Sequence, residues 1–205
     1  MGDTSPQIAR DDQLFSLAES QAGYFTSKQA HDVGFSDDLI QYYLRSGKFL
    51  RQRRGLYRLR HYPSSTHEDV MAAWLAVPGS VVSHDTALVL HDITDLIPSR
   101  IHLTVPRSKR NLPRISGVRI HTSSEPPNSK DVVVREGMRI TSISRTIVDL
   151  MVANEVAPEH IEHAIRQALG SHLTGFAELE EVAKRRHLPL SRLESASGSQ
   201  KTVPA

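Results

Sequence analysis

The sequence predicts an α+β protein with two domains, and three observations lead to this prediction. Residues 24–60 contain the pattern of two short capped helices followed by a basic hairpin. Residues 66–90 and 144–182 repeat apolar side chains at helical spacing, whereas residues 101–140 alternate apolar and polar side chains as strands do. We therefore expect a helical domain with a hairpin, followed by a domain with a small antiparallel or mixed sheet and several helices.

The first two predicted helices are bounded by residues that favour helix ends. Thr26, with Gln29 three positions later, predicts a capping box, in which each side chain binds a free backbone N–H of the first turn. Gly34 interrupts the chain, Ser36 caps the second helix, and Gly47 ends it where a left-handed residue costs least. The two helices are therefore short and joined by a tight turn.

A basic hairpin follows the second helix. Residues 49–59 contain two short β-prone runs separated by a turn at Gly55. A preceding helix, capped by Asp11 or Asp12, would complete a three-helix core. This order of elements is the layout of a winged helix-turn-helix, a fold whose second helix of the pair enters the DNA major groove.

The charges in this layout favour DNA as the partner. The apolar side chains of the second helix form one stripe, which leaves Gln41, Tyr42 and Arg45 facing outward. Residues 24–60 carry eight Lys and Arg against three Asp, a net charge of about +5 that favours the phosphate backbone. We expect the DNA contacts to come from Lys28, Gln41, Tyr42, Arg45, Lys48, Arg51, Arg53 and Arg54.

These residues have different expected roles. The three residues of the helix would read the major groove, because Gln and Arg can each bind a base edge with two hydrogen bonds. Lys28 and Lys48 would hold phosphates, and the hairpin arginines would reach phosphates or the minor groove. The alternative is that this segment is only a solvated basic surface, because short sequences easily imitate a helix-turn-helix.

The overall composition bounds the remaining functions. The chain has 205 residues and a formal net charge of only +2, so its basic character is local. It has no cysteine, which excludes disulfides, thiolate chemistry and cysteine-ligated zinc. No segment reaches the roughly 18 apolar residues that span a bilayer, and the N-terminus lacks a secretory pattern. We expect a cytoplasmic protein without a membrane partner.

The predicted domain organisation has four parts. They are a flexible lead at residues 1–10, the winged helix-turn-helix at residues 11–61, a C-terminal domain at residues 66–187 and a disordered tail at residues 191–205. In the C-terminal domain, Thr66 and Ser144 are expected to cap helices, and a hairpin is expected around Gly137.

The segment from residue 100 to residue 119 has six cations and no acidic residue. It could form a second surface for phosphates or for a protein partner. Equally, basic residues on an exposed strand edge discourage pairing between molecules. The residues of this second basic surface are Arg100, Arg107, Lys109, Arg110, Arg114 and Arg119.

Three His-Asp dipeptides, at residues 31–32, 84–85 and 91–92, suggest an enzymatic interpretation. Imidazole and carboxylate are ordinary metal ligands. However, no third and fourth ligand follows at a recognisable spacing, and a consecutive Ser83-His84-Asp85 does not converge as a catalytic triad. We therefore expect no metal site, no cofactor and no catalytic residue.

Four segments occur in an order and spacing that resembles a known family. They are residues 23–30 (GYFTSKQA), 53–58 (RRGLYR), 82–88 (VSHDTAL) and 144–150 (SRTIVDL). Together they resemble the AbiEi antitoxins, which belong to the abortive-infection type IV toxin–antitoxin systems. The resemblance extends over most of the chain, from residue 11 to residue 186.

The resemblance implies a winged-helix DNA reader joined to a C-terminal antitoxin domain. It implies a transcriptional repressor that binds its own double-stranded promoter DNA, an autoregulation of the operon. It also implies that the protein counteracts a nucleotidyltransferase-like toxin, by direct contact or through a shared target. We expect a monomer or weak dimer that binds DNA cooperatively. The alternative is a protein- or RNA-interaction module whose winged helix does not act as a repressor.

Overall fold

The structure, a computed structural model, describes residues 6–109, 111–112 and 114–198. The chain divides into two compact units. One extends to Pro78 and includes Glu136–Met138, and the other comprises Gly79–Arg135 and the chain from Arg139 onward. Helices and two separate sheets confirm the predicted α+β class.

The first unit has the predicted winged helix-turn-helix layout, with one additional short strand and one additional helix. Its elements are α1 (Pro6–Glu19), β1 (Tyr24–Thr26), α2 (Ser27–Asp32), α3 (Asp37–Arg45), β2 (Phe49–Arg53), β3 (Leu56–Leu59) and α4 (Glu68–Leu75). The strands form an antiparallel sheet in the order β1-β3-β2, so the predicted hairpin β2–β3 is joined by β1.

An aromatic core holds the helices of this unit on its sheet. Phe49 of β2 lies 4.8 Å from Phe25 of β1 and 4.9 Å from Tyr43 of α3, measured between ring centroids. Phe35, in the turn before α3, contacts the Tyr43 ring edge-on at 5.6 Å. Leu14 of α1 is fully buried in the same cluster. Burial of several aromatic rings in one core fixes the orientation of α3.

The N-terminal lead differs from its prediction, because α1 begins at Pro6. Residues 1–5 of the predicted lead lie outside the described residues. Proline suits the first turn of a helix, where its missing N–H needs no partner. The Arg10 guanidinium lies 4.8 Å from the centre of the Phe35 ring. This contact attaches a part of the predicted lead to the core.

The helix after the hairpin also differs from its prediction. Thr66 does not cap it, because α4 begins at Glu68 with His67 in the cap position. Glu68 pairs with Arg58 of β3 at 3.2 Å. The division into compact units places α4 with the winged helix-turn-helix, whereas the predicted boundary lay between residues 61 and 66.

The second unit is built on a mixed sheet with the strand order β6-β5-β4-β8-β7. Its elements are β4 (Val81–Val82), α5 (His84–Leu90), β5 (Ile101–Pro106), β6 (Val118–Ser123), β7 (Val132–Arg135), β8 (Met138–Thr141), α6 (Ile143–Ala153), α7 (Pro158–Gly170), α8 (Phe176–Arg185) and α9 (Leu190–Ser197). β5 pairs with β6 in parallel and with β4 antiparallel. β5, β6 and the hairpin of β7 and β8 around Gly137 lie where the alternation predicted them, whereas β4 was not predicted.

Two predictions at the helix ends of this unit are wrong. The N-cap of α6 is Ser142, whose hydroxyl accepts a hydrogen bond from the Arg145 backbone N–H. Ser144 is instead fully buried within α6. The predicted disordered tail begins with a helix, α9, because Leu193 is fully buried in the core of the unit. Residues 199–205 lie outside the described residues.

A buried ion network joins α6, the end of α8 and Asp131, which directly precedes β7. Arg145 of α6, only 2% exposed, pairs with Asp131 at 2.9 Å and with Asp149 at 2.8 Å. Arg185 pairs with Asp131 at 2.7 Å, and Arg186 with Asp149 at 2.8 Å. Since each buried charge has an opposite partner, the cost of its burial is offset. Within the described residues, no helix is both long enough and apolar enough to cross a membrane.

Candidate DNA-binding surface

The start of α2 is fixed by the predicted capping box. The Thr26 hydroxyl accepts a hydrogen bond from the Gln29 backbone N–H at 3.2 Å, and the Gln29 side chain accepts one from the Thr26 N–H at 2.8 Å. The Gln29 amide also donates to Gln21 at 2.8 Å. These bonds position the first helix of the helix-turn-helix pair.

The second helix of the pair, α3, is held at both its N-terminus and its buried face. The Ser36 hydroxyl caps it by accepting from the Leu39 N–H at 3.2 Å. Ile40 and Tyr43 are buried, as the apolar stripe predicted. The Tyr43 hydroxyl donates to the Asp11 carboxylate of α1 at 2.6 Å. Burial, together with this hydrogen bond, raises the pKa of Tyr43 to about 12.

The opposite face of α3 presents Gln41, Tyr42 and Arg45 to solvent. Tyr42 is 59% exposed, an unusual position for a large aromatic side chain. The Arg45 side chain donates to the Gln41 carbonyl at 3.4 Å. The predicted exposure of this face is therefore observed, and contact with DNA stays a prediction.

The hairpin β2–β3 forms a wing beside these helices. Its register shifts between Arg51 and Arg53, which lie opposite Tyr57 and Leu56 respectively. Such a bulge increases the local twist of a hairpin. At the turn, Gly55 has a φ of +75°, which glycine adopts without strain, and its carbonyl accepts from the Ser27 N–H at 2.9 Å. The tip of the wing is thus attached to the start of α2.

The cations around α3 differ in their partners. Lys28 is paired with Asp32 at 2.7 Å, so its charge is partly neutralised. Lys48 lies over the Tyr43 ring at 4.8 Å, and Arg51 over the Tyr57 ring at 5.8 Å. Across the described ranges of the chain, no ion pair involves Arg45, Arg51, Arg53 or Arg54. Those arginines keep their full charge for an external partner.

The predicted second basic surface separates into two groups. Arg100 precedes β5, and Arg107 and Lys109 follow it, so the two groups lie about 20 Å apart along a six-residue strand. Arg100, Arg114 and Arg119 line one cavity of about 550 Å³. Arg110 lies outside the described residues. Because β6 is an edge strand, protection of this edge by Arg119 is still an open alternative.

The structure also brings together three histidines that were treated separately in the sequence. Each of His84, His102 and His121 offers a ring nitrogen, and these nitrogens lie within 4.8 Å of one another. No metal site is expected from the sequence, in which neither His102 nor His121 belongs to a His-Asp dipeptide. The alternation in β5 and β6 indicates the face of its strand on which each histidine lies. Only the parallel register of the two strands shows that the two rings are neighbours.

A winged-helix domain of the kind found in transcriptional regulators is formed by helices α1 to α3, the hairpin β2–β3 and the strand β1. Residues 12–60 match the sequence model of a family described as "Transcriptional regulator, AbiEi antitoxin". This match confirms the predicted resemblance for the N-terminal segment, which is similar to the AbiEi transcriptional regulator domain.

A similar fold has been solved in a crystal structure, that of the Rv2827c protein from Mycobacterium tuberculosis. The two chains superpose with a TM-score of 0.54 at 18% identity, over 92% of this chain and 75% of the other. At this identity the similarity concerns the fold alone. A comparison with curated proteins finds no match.

Proposed function

We propose that this protein is a DNA-binding antitoxin that represses its own operon and counteracts a nucleotidyltransferase-like toxin. The observation that carries the DNA-binding part is the exposed face of α3, with Gln41, Tyr42 and Arg45. Beside it, three arginines of the wing, Arg51, Arg53 and Arg54, have no acidic partner in the described residues. The antitoxin part rests on the description of the family that residues 12–60 match.

The dimensions of α3 indicate how much DNA one copy reads. A helix of nine residues is about 13 Å long, which corresponds to about four base pairs of a duplex. So short a site provides little specificity, because each correctly read base pair contributes only about 1–3 kcal/mol. We therefore propose that two copies bind neighbouring half-sites, as a weak dimer or by cooperative binding of monomers.

The second unit is the part to which we assign antagonism of the toxin. It is larger than DNA binding requires, and its buried ion network and mixed sheet make it a folded unit of its own. We propose no catalytic step for it. The test is co-expression of the toxin with variants altered in one unit at a time. The unit whose variants no longer restore growth is the one that counteracts the toxin.

The residue-level test of DNA binding is the variant Arg45→Ala. If Arg45 binds a guanine with two hydrogen bonds, binding of the upstream promoter DNA weakens by about 1–3 kcal/mol. The measurement is gel retardation of that DNA, with scrambled DNA of equal length as the reference. The matched control is Arg166→Ala, because Arg166 is also an exposed helical arginine but lies on α7.

If Arg45→Ala retards the promoter DNA as the wild type does, Arg45 does not contact a base. Equal retardation of promoter and scrambled DNA by the wild-type protein would contradict the repressor function. It would leave a module that binds RNA or protein as the better description of the first unit.

A further inference from the structure

Three structural features coincide in the second unit, and the first is the placement of three imidazoles. His102 and His121 lie on the neighbouring parallel strands β5 and β6, in a register that pairs His121 with Thr104. Their side chains therefore share one face of the sheet. His84, at the start of α5, covers this face, and its ring stacks on that of His121 with 3.7 Å between centroids.

The second is a convergence of electron-donating atoms on a single ring nitrogen. Nδ1 of His102 lies 3.1 Å from Nε2 of His121 and 3.1 Å from Oδ1 of Asp85. One imidazole N–H cannot point well at both of these acceptors. A cation bound to His102 Nδ1 and His121 Nε2 would remove this competition, and Asp85 would join it after a shift, because its Oδ1 also accepts from the Thr86 backbone N–H at 3.1 Å.

The third is the backbone of His84, which has a φ of +56°. For a residue with a Cβ this left-handed conformation costs about 1–2 kcal/mol, and such strain is common at functional sites. His84 is buried, with 7% of its surface exposed, and its Nδ1 forms a hydrogen bond with the Ser83 hydroxyl at 2.9 Å. The strained backbone directs a buried imidazole towards the other two.

We propose that His84, His102 and His121 bind one divalent transition-metal ion, with the Asp85 carboxylate as the fourth ligand. Three imidazoles and one carboxylate are a donor set that suits zinc and its neighbours in the first transition series. A cavity of about 310 Å³, lined by His84, Asp85 and His102 among others, gives the ion a path from solvent. The nearby Arg119 is paired with Glu155, which offsets its repulsion of a cation.

Metal binding requires a local rearrangement. Two ligand atoms of a tetrahedral zinc ion lie about 3.3 Å apart, from Zn–N distances of about 2.0–2.1 Å. The His102–His121 nitrogen distance already meets this value, whereas the wider spacing to His84 does not. Rings that point at one ion cannot remain stacked, so the His84 and His121 rings separate when the ion binds.

The test uses the full chain without an affinity tag, after removal of metal by a chelator. Calorimetric titration with ZnCl₂ should give one ion per chain. His121→Gln should weaken binding at least about 100-fold, and Asp85→Asn about 10- to 100-fold. The matched control is His160→Gln, an exposed histidine on α7, which should bind zinc as the wild type does. Equal zinc binding by His121→Gln and His160→Gln would overturn the proposal.

A second measurement does not depend on the folding of a variant. X-ray absorption of the zinc-loaded wild-type protein should show three imidazole ligands and one oxygen ligand. Fewer than three imidazoles, or no bound zinc, would also overturn the proposal. Because the readouts are stoichiometry and coordination, the result is independent of whether the first unit binds DNA.

Discussion

Tyr43 and Tyr42 are adjacent in α3 and perform opposite tasks. Tyr43 is buried, stacks on Phe49 and bonds to Asp11, so it attaches α3 to the rest of the helical core. Tyr42 is exposed and available to a partner. The helical period alone separates a side chain that positions α3 from one that would touch DNA.

This contrast gives a matched pair of variants. Tyr43→Phe removes the hydrogen bond to a partly buried carboxylate and should lower the free energy of unfolding by about 1–2 kcal/mol. Tyr42→Phe should change it by less than about 0.5 kcal/mol, because its hydroxyl is on the exposed face. Urea denaturation of both variants measures the difference. Equal stability of the two would show that the Asp11 bond does not hold α3 in place.

At the level of elements, the wing carries three arginines that have no acidic partner in the described residues. Its strands carry Arg51 and Arg53, its turn carries Arg54, and the turn is anchored to α2 through the Gly55 carbonyl. An anchored turn presents its cations in a fixed place. This arrangement favours contact with the phosphate backbone, which needs position more than sequence.

The wing prediction concerns salt dependence. Arg53→Ala and Arg54→Ala should weaken the binding of promoter and scrambled DNA alike. Each should also reduce the slope of log K against log salt by about one, because each phosphate contact releases about one counterion. Retardation assays over a salt series provide the slopes. A loss confined to promoter DNA would mean instead that the wing reads bases.

At the level of the whole molecule, the ion network of the second unit makes its stability depend on pH. Burial by itself raises the pKa of Asp131, but hydrogen bonds from Arg185 and the Asn128 backbone, with the charge of Arg145, outweigh it and lower the pKa below 3.8. A carboxylate whose pKa is lower in the folded state stabilises the fold above its unfolded pKa. That stabilisation is lost as the pH falls through the folded pKa.

We accordingly expect Asp131→Asn to destabilise the protein by about 3–5 kcal/mol at pH 7, because it removes the carboxylate that pairs with the buried Arg145 and with Arg185. The difference from the wild type should begin to shrink below about pH 3.9, where the unfolded carboxyl takes up a proton, and should be lost as the pH falls through the lower pKa of the folded carboxyl. Chemical denaturation at several pH values tests this. The control is Asp92→Asn, since Asp92 pairs with Arg135 at an exposed site and should contribute less than about 1 kcal/mol. A difference that persists unchanged at low pH would contradict the role of the Asp131 charge.

The parts of the fold that the sequence predicted are those with local causes. The capping box of Thr26 and Gln29, the Ser36 cap and the stripe through Ile40 and Tyr43 each depend on residues within one turn of a helix. Ser144 was misread as a cap because a buried serine and a capping serine look alike in a sequence. Ser142, two positions earlier, has the same chemistry.

The features that could not be predicted depend on contacts between distant segments. Arg145 and Asp131 lie 14 positions apart, and Leu193 orders α9 only because a core exists to receive it. His102 and His121 become neighbours through strand register. Contacts of this kind leave no regular spacing in the sequence, so the histidine cluster was not predicted. The exposed face of α3 was predicted because it follows from the helical period alone.

The first unit is not a continuous stretch of sequence, because Glu136–Met138 belongs to it. Met138 is fully buried. A gene fragment that ends at Pro78 therefore lacks three residues that group with the first unit, Glu136–Met138. For the proposed DNA-binding protein, exchanging the exposed residues of α3 in place therefore disturbs the first unit less than transplanting residues 1–78 alone.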